Sequence, residues 1–208
     1  MPGSADWSSL AASADADEIK EHILTGFKNG KPFTPYTPTI PLPAPLGTIL
    51  DFGCGLGRNF PYLTSIATNV VAYDLPPMIA RCRALTAGQT VRLTDDWPGL
   101  RTETFDLVYA SLVLQHVETD ACRASLNDFA RMAPSVYLLT RTDGDFDQNI
   151  LDLVAESRAF AVDDCVEVEH DPTTHQLRVL SRASFSDARA QRGSRHYEMV
   201  LRSLSHPR

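Results

Sequence analysis

Glycine occupies every second position of Asp51-Phe52-Gly53-Cys54-Gly55-Leu56-Gly57, directly after the apolar pair Ile49-Leu50. The apolar run reads as the end of a buried strand. The glycines read as a tight turn whose missing side chains let backbone and a following helix come close to a ligand. A strand, such a turn and an amphipathic run in succession make the first half of a βαβ unit. The dinucleotide fingerprint GxGxxG fits this turn poorly. Its sixth position holds Arg58, and the third glycine comes one place early, at Gly57. Asp51 also precedes the first glycine by two residues, where its charge would oppose a pyrophosphate and favour a cation.

The rest of the chain alternates between two periodicities. Helical spacing covers residues 17–27, 59–68, 77–86, 120–132 and 147–161. Strand patterns cover residues 48–52, 69–74, 90–94, 104–110 and 135–140. This alternation predicts an α/β fold, a doubly wound and mostly parallel sheet with ligand at the carboxyl ends of the strands. Residues 165–170 and 176–180 flank a turn signal at Asp171-Pro172 and predict a hairpin. Residues 196–202 alternate and predict an antiparallel closing strand. Residues 1–15 are small and polar and are expected to be mobile. Six prolines, from Pro32 to Pro45, predict an extended, rigid stretch before the first strand.

Charge and cysteines narrow the function classes. The net charge of −7 argues against a nucleic-acid partner. No run of about 18 apolar residues is present, so no membrane span is expected. The N-terminal residues lack the pattern of a secretion signal, and Cys54, Cys82, Cys122 and Cys165 are scattered without a CxxC pair. Together these predict a cytoplasmic protein with no zinc site. His170, Asp171 and His175 share one turn and read as solvated turn residues rather than metal ligands.

The order acid, any residue, then GxGxG resembles the first motif of the class I S-adenosylmethionine-dependent methyltransferases, which Asp51 to Gly57 match position by position. The resemblance covers residues 46–141. It implies a Rossmann-like methyltransferase domain over residues 46–208. Residues 1–45 then form a mobile segment, a lid helix and a Pro-rich linker, and Phe27, Lys28 and Tyr36 could lie over the cofactor. It implies S-adenosyl-L-methionine as cofactor, whose ammonium and sulfonium suit an acid-led turn. It also implies methyl transfer to a small-molecule acceptor, at oxygen or nitrogen. Two rivals share the fold: a non-catalytic cofactor-binding or partner-activating protein, and a nicotinamide-dependent oxidoreductase, which Asp51 and Arg58 disfavour.

The resemblance also marks out site residues. Asp51, Gly53, Cys54, Gly55 and Gly57 form the cofactor turn, with Cys54 a small residue that fits there. Asp74 follows Gly53 by 21 residues at the end of the second strand, within reach of a ribose. Leu75 stands beside it; the alternative for Asp74 is a helix cap before Pro76. Either Asp95 or Asp96 would accept from an adenine amino group, and Trp97 would flank the ring or join the core. Ser111 to Val117 looks like the fourth motif, where donor and acceptor meet. His116 is the candidate general base, since an unperturbed imidazole pKa of about 6.5 lets it accept a proton at neutral pH. The alternative is a histidine that completes the pocket. Arg141, at the cleft edge, would hold an acidic substrate group or pair with an aspartate.

Overall fold

A computed structural model describes residues 4–13, 19, 35–142, 149–171, 173–174, 176–191 and 195–206. In chain order the elements are α1 (Ser4–Ser13), β1 (Leu46–Phe52), α2 (Phe60–Ile66), β2 (Ala67–Tyr73), α3 (Pro76–Leu85) and β3 (Val91–Thr94). The short helix α4 (Trp97–Leu100), β4 (Leu107–Ser111), a 3₁₀ turn (Leu114–His116), α5 (Thr119–Met132) and β5 (Ser135–Thr142) come next. The last elements are α6 (Ile150–Ser157), β6 (Phe160–His170), β7 (Leu177–Arg182), α7 (Phe185–Ala190) and β8 (Arg195–Ser203).

The eight strands form one sheet in the order β3-β2-β1-β4-β5-β8-β6-β7. Neighbours from β3 to β5 pair parallel, and the pairs β5–β8, β8–β6 and β6–β7 are antiparallel. The order reverses between β1 and β4. The crevice at the carboxyl ends there is where this topology receives ligands.

Strand alternation sends successive side chains to opposite faces. Leu50, Val108, Ala110, Val136, Leu138 and Met199 pack on one face with Leu126, Phe129 and Leu151 from the helices. Ile49, Leu107, Tyr109, Tyr137, Leu139, Val166 and Val168 face the other way, beneath Leu63 of α2 and Tyr36 and Ile40. Each fully buried side chain of this size stabilises by about 1.5–3 kcal/mol. Tyr109 and Tyr137 stack nearly parallel on that second face, with centroids 4.6 Å apart.

The Pro-rich stretch is a strap across this second face. Prolines lack an N–H, so the segment cannot extend a sheet ladder. Side chains take the N–H groups that remain. Glu198 of β8 is fully buried and accepts from Thr39 N (2.9 Å), Thr39 Oγ1 (2.6 Å) and Ile40 N (3.1 Å). Gln176, just before β7, accepts from Thr37 N (3.0 Å) and donates through Nε2 to the Pro35 carbonyl (3.1 Å).

Several elements differ from the sequence reading. Residues 4–13 form a helix, because Ala11 has an apolar place to go against Leu56 and Met78. Of the helix expected over residues 17–27, only Ile19 lies within the described residues. The helix expected to run to residue 68 stops at Ile66, since Ala67 and Asn69 pair with Leu46 and Thr48 of β1. The helix expected over 147–161 ends at Ser157, where Arg158 turns left-handed at φ +51°. Residues 160–164, at its expected tail, lengthen β6 along β8. The helix α7 was not expected, although Ser184 caps it by accepting from Asp187 N, an S-x-x-D signal open to view in the sequence.

The hairpin turn holds as read: Asp171 Oδ1 accepts from Thr173 N and Thr174 N, while His175 lies outside the described residues. Asp106 is structural, with Oδ2 accepting from Gly47 N and Thr48 N. Among the described residues no helix is long and apolar enough to cross a membrane.

The strap yields a stability prediction. Glu198→Ala strands three donors, each worth about 1–3 kcal/mol when left unsatisfied in the interior. Denaturant unfolding should show a midpoint lowered by several kcal/mol equivalent, at unchanged slope. Glu198→Gln, whose amide oxygen still accepts, should lose less. Equal stability of wild type and the Ala variant would show that Glu198 does not hold the strap.

Candidate active site

The turn after β1 hooks onto the end of β2. Gly53 N and Cys54 N both donate to the Tyr73 carbonyl, at 2.8 and 3.1 Å. Gly53 and Gly57 adopt φ of +74° and +82°. A Cβ on Gly53 would stand 2.2 Å from Val113 Cγ2, and one on Gly57 2.6 Å from Phe60 Cε2. Gly53 is therefore required because the chain leaving β4 lies directly over it. The first glycine turn and the segment after β4 form one floor.

Two acids lie at this floor. Asp74 accepts from Gly55 N through Oδ2 and from Leu75 N through Oδ1, both at 2.7 Å. It thus braces the glycine turn against β2. Leu75, rather than Asp74, is the N-cap residue of α3. Each carboxylate oxygen of Asp74 keeps a second lone pair. Burial raises its pKa to about 6, opposed by the N–H groups of Gly55 and Leu75. Asp51 is 1% exposed, and its Oδ2 has no hydrogen-bond partner among the described residues. Burial, with the nearby charge of Asp74, pushes its carboxyl up to about 8. A hydrogen bond with Cys82 and burial push the Cys54 thiol well above its ordinary range, so it sits there as a neutral small residue.

A cleft of about 560 Å³ opens above the turn. Gly53, Cys54, Gly55, Asp74, Leu75, Trp97, Ser111 and His116 all line it. Asp51 and Gly57 stand behind the wall rather than on it, and Asp95 and Asp96 are exposed and do not reach it. Asp96 instead caps α4, accepting from Gly99 N at 3.0 Å. One wall is aromatic. Tyr73 and Trp97 lie 5.1 Å apart between centroids, and Phe52 stands 5.3 Å from Tyr73 and 5.1 Å from Trp97.

The opposite wall depends on one backbone feature. Leu112 has φ +55°, and its N–H donates to the Leu139 carbonyl at 2.7 Å. A bulky residue in the left-handed region costs about 1–3 kcal/mol. That kink turns the chain away from β4 into the 3₁₀ turn, which sets Gln115 and His116 on the cleft wall.

A further wall element escapes a sequence reading. Trp7 of α1 roofs the cleft, edge-on to the His116 ring at 5.4 Å, and its buried indole N–H has no hydrogen-bond partner among the described residues. Arg81 Nε holds this helix by donating to the Ala11 carbonyl at 3.3 Å. Of the three lid candidates, Phe27 and Lys28 lie outside the described residues. Tyr36 is buried in the strap, with the Arg58 guanidinium 4.8 Å above its ring. Arg58, Arg141 and His196 also line the cleft.

Residues 50–136 match a family model described as a methyltransferase domain. The fold is that of several solved structures. The N-methyltransferase NodS from Bradyrhizobium japonicum WM9, solved with S-adenosyl-L-homocysteine, aligns at TM-score 0.52 and 14% identity over 76% of this chain and 79% of that one. A TehB-like SAM-dependent methyltransferase from Corynebacterium glutamicum aligns at TM-score 0.51 and 17% identity over 95% of this chain and 94% of that one. An O-methyltransferase family protein from Burkholderia thailandensis aligns at 0.52 and 14% over 77% and 52%. No curated protein sequence matches the chain.

The buried acids give a pH dependence. The unfolded Asp51 carboxyl loses its proton near its ordinary 3.8, while the folded one keeps it to about 8. Between those values the native state binds the extra proton, so stability falls as pH rises, by at most roughly 1.4 kcal/mol per pH unit. Asp74 adds to the fall up to about 6. In ligand-free protein, Asp51→Asn should flatten this slope and gain most over wild type at pH 8. Parallel stability curves for the two proteins would remove burial of Asp51 as the cause.

Proposed function

With residues 50–136 forming a class I S-adenosylmethionine-dependent methyltransferase domain, we propose that the chain methylates a small-molecule acceptor at oxygen or nitrogen. The observation that carries this reading is the pair of buried acids, Asp51 and Asp74, directly behind the glycine turn. Asp74 carries the charge at neutral pH and Asp51 ionises when a cation settles beside it, so the pair disfavours a pyrophosphate and favours a cation. S-adenosyl-L-methionine supplies an ammonium and an activated methyl group on a sulfonium.

The roles divide along the cleft. The backbone of Gly53, Cys54 and Gly55 forms the floor on which the cofactor rests, where no side chain stands between it and Asp51. Asp74 accepts from ribose hydroxyls through the lone pairs that Gly55 N and Leu75 N leave open. Tyr73 and Trp97 give an apolar wall for a flat ring beside Leu75. Trp7 closes the roof and excludes water. Ser111 and Leu112 border the place where donor and acceptor meet. Holding the two partners in line there contributes up to about 7–11 kcal/mol in well-oriented systems. His116 takes the proton that an acceptor hydroxyl or protonated amine gives up, with Trp7 packed against its ring to fix its plane.

Calorimetry with S-adenosyl-L-homocysteine and with NAD tests the reading. The first should bind and the second should not; binding of NAD alone would overturn it. Asp74→Asn keeps one acceptor oxygen for the turn and removes the charge. It should weaken S-adenosyl-L-homocysteine binding by about 1.5–3 kcal/mol, the range for hydrogen bonds to charged groups. Unchanged affinity would leave Asp74 a brace only.

For His116 the discriminating variant is Gln, which keeps a hydrogen bond and loses basicity. His116→Gln should slow turnover by roughly 10²–10⁴-fold with cofactor affinity intact. A wild-type rate in that variant would reduce His116 to a wall residue.

A further inference from the structure

Two arginines and a histidine stand among the cleft residues that the cofactor roles leave over. Arg141 of β5 and His196 of β8 are direct cross-strand partners. By alternation they share the face of Tyr137, Leu139 and Val200, the face the strap covers. Both line the cleft, as does Arg58, which is only 8% exposed. The three are linked through aromatic and imidazole rings. Arg58 lies over Tyr36, whose ring stands 6.2 Å from that of His170 at the end of β6. Burial, with smaller contributions from Arg141 and His170, depresses the His196 pKa to about 4. The positive potential at that spot comes from the Arg58 and Arg141 guanidiniums, with His196 a neutral hydrogen-bonding imidazole between elements of the same wall.

Position gives this potential a meaning. β5 and β8 lie on the far side of the order reversal from β2 and Asp74. The field therefore stands over the acceptor approach and not over the ribose. Of the described acids on this face, Asp51 is buried and keeps its proton to about 8, and Glu198 is engaged by the strap N–H groups of Thr39 and Ile40. Asp128, at the aromatic end of the cleft, pairs with Arg101 and Arg131. A cationic recess on a chain of net charge −7 draws anions to one place, and a guanidinium holds a carboxylate or phosphate in a two-pronged geometry.

We propose that this recess is an anion site and that the methyl acceptor carries a carboxylate or phosphate, held by Arg141 beside His196 with Arg58 behind. The proposal rests on the methyl-transfer reading for the word acceptor, and on the recess alone for the anion.

The test is a calorimetric titration of the full chain with benzoate, inorganic phosphate and neutral benzamide, each with and without saturating S-adenosyl-L-homocysteine. Benzoate or phosphate should bind alongside S-adenosyl-L-homocysteine, and the stronger of the two names the anion class. Benzamide should bind at least tenfold more weakly. Arg141→Gln should weaken anion binding at least tenfold and leave S-adenosyl-L-homocysteine affinity within twofold, while Arg141→Lys should keep part of the anion affinity.

Absence of anion binding, equal binding of benzamide, or an unaffected Arg141→Gln variant would overturn the anion site. Competition between benzoate and S-adenosyl-L-homocysteine would overturn it too, because the cations would then serve the cofactor's own carboxylate. Anion binding that survives in a protein unable to bind S-adenosyl-L-homocysteine would support the site and sink the methyl-transfer reading instead.

Discussion

A carboxylate buried without a full set of partners lies at the centre of this molecule. Asp51 closes β1 on the inside of the sheet, 1% exposed, with one oxygen unsatisfied among the described residues. An ionised carboxylate in such a place is expensive, so the free protein keeps a proton there. The surroundings make sense as a frame for that acid. The Tyr73 carbonyl holds the two N–H groups of the turn, Asp74 braces Gly55, and Val113 presses down where Gly53 has no side chain. The result is a thin wall of backbone between a latent negative charge and an open cleft. A cation settling on that wall favours the ionised form, so what destabilises the free chain strengthens the complex.

The parts of the fold that repeat a local rule were open to reading. Alternation in β1, β4 and β5 marked the sheet, and the glycine spacing marked the floor of the site. The 21-residue step from Gly53 placed Asp74 at the neighbouring strand end. What stayed hidden depends on partners distant in the chain. Glu198 occupies an alternate position in a strand, where a charged residue suggests solvent; only the strap, more than 150 residues earlier, gives it a buried role. Helix α1 shows few apolar residues, and Trp7 becomes a roof only once α3 supports the helix.

The placement of the acids after β3 was hidden for a different reason. Two adjacent aspartates looked equivalent in the sequence, but Gly99 lets its N–H reach Asp96 and ties that residue to the helix start, with its Cβ position filled by the Asp96 carboxylate. Asp95 turns outward beside it. His116 shows the limit from the backbone side. Its place on the wall follows from a left-handed residue, and leucine at position 112 carries no sign of that in its side chain.

The strap has a consequence for how such a chain can change over generations. It lies on the sheet through side-chain acceptors from Glu198 and Gln176, and no ladder register fixes its sequence. Substitutions in residues 35–45 can therefore reshape the ground beneath Arg58 and His170 without shifting any strand. The cofactor floor has no such freedom, since Gly53 is locked under Val113. The shape of the cleft beside the strap is thus free to drift in one segment while its floor is inherited unchanged.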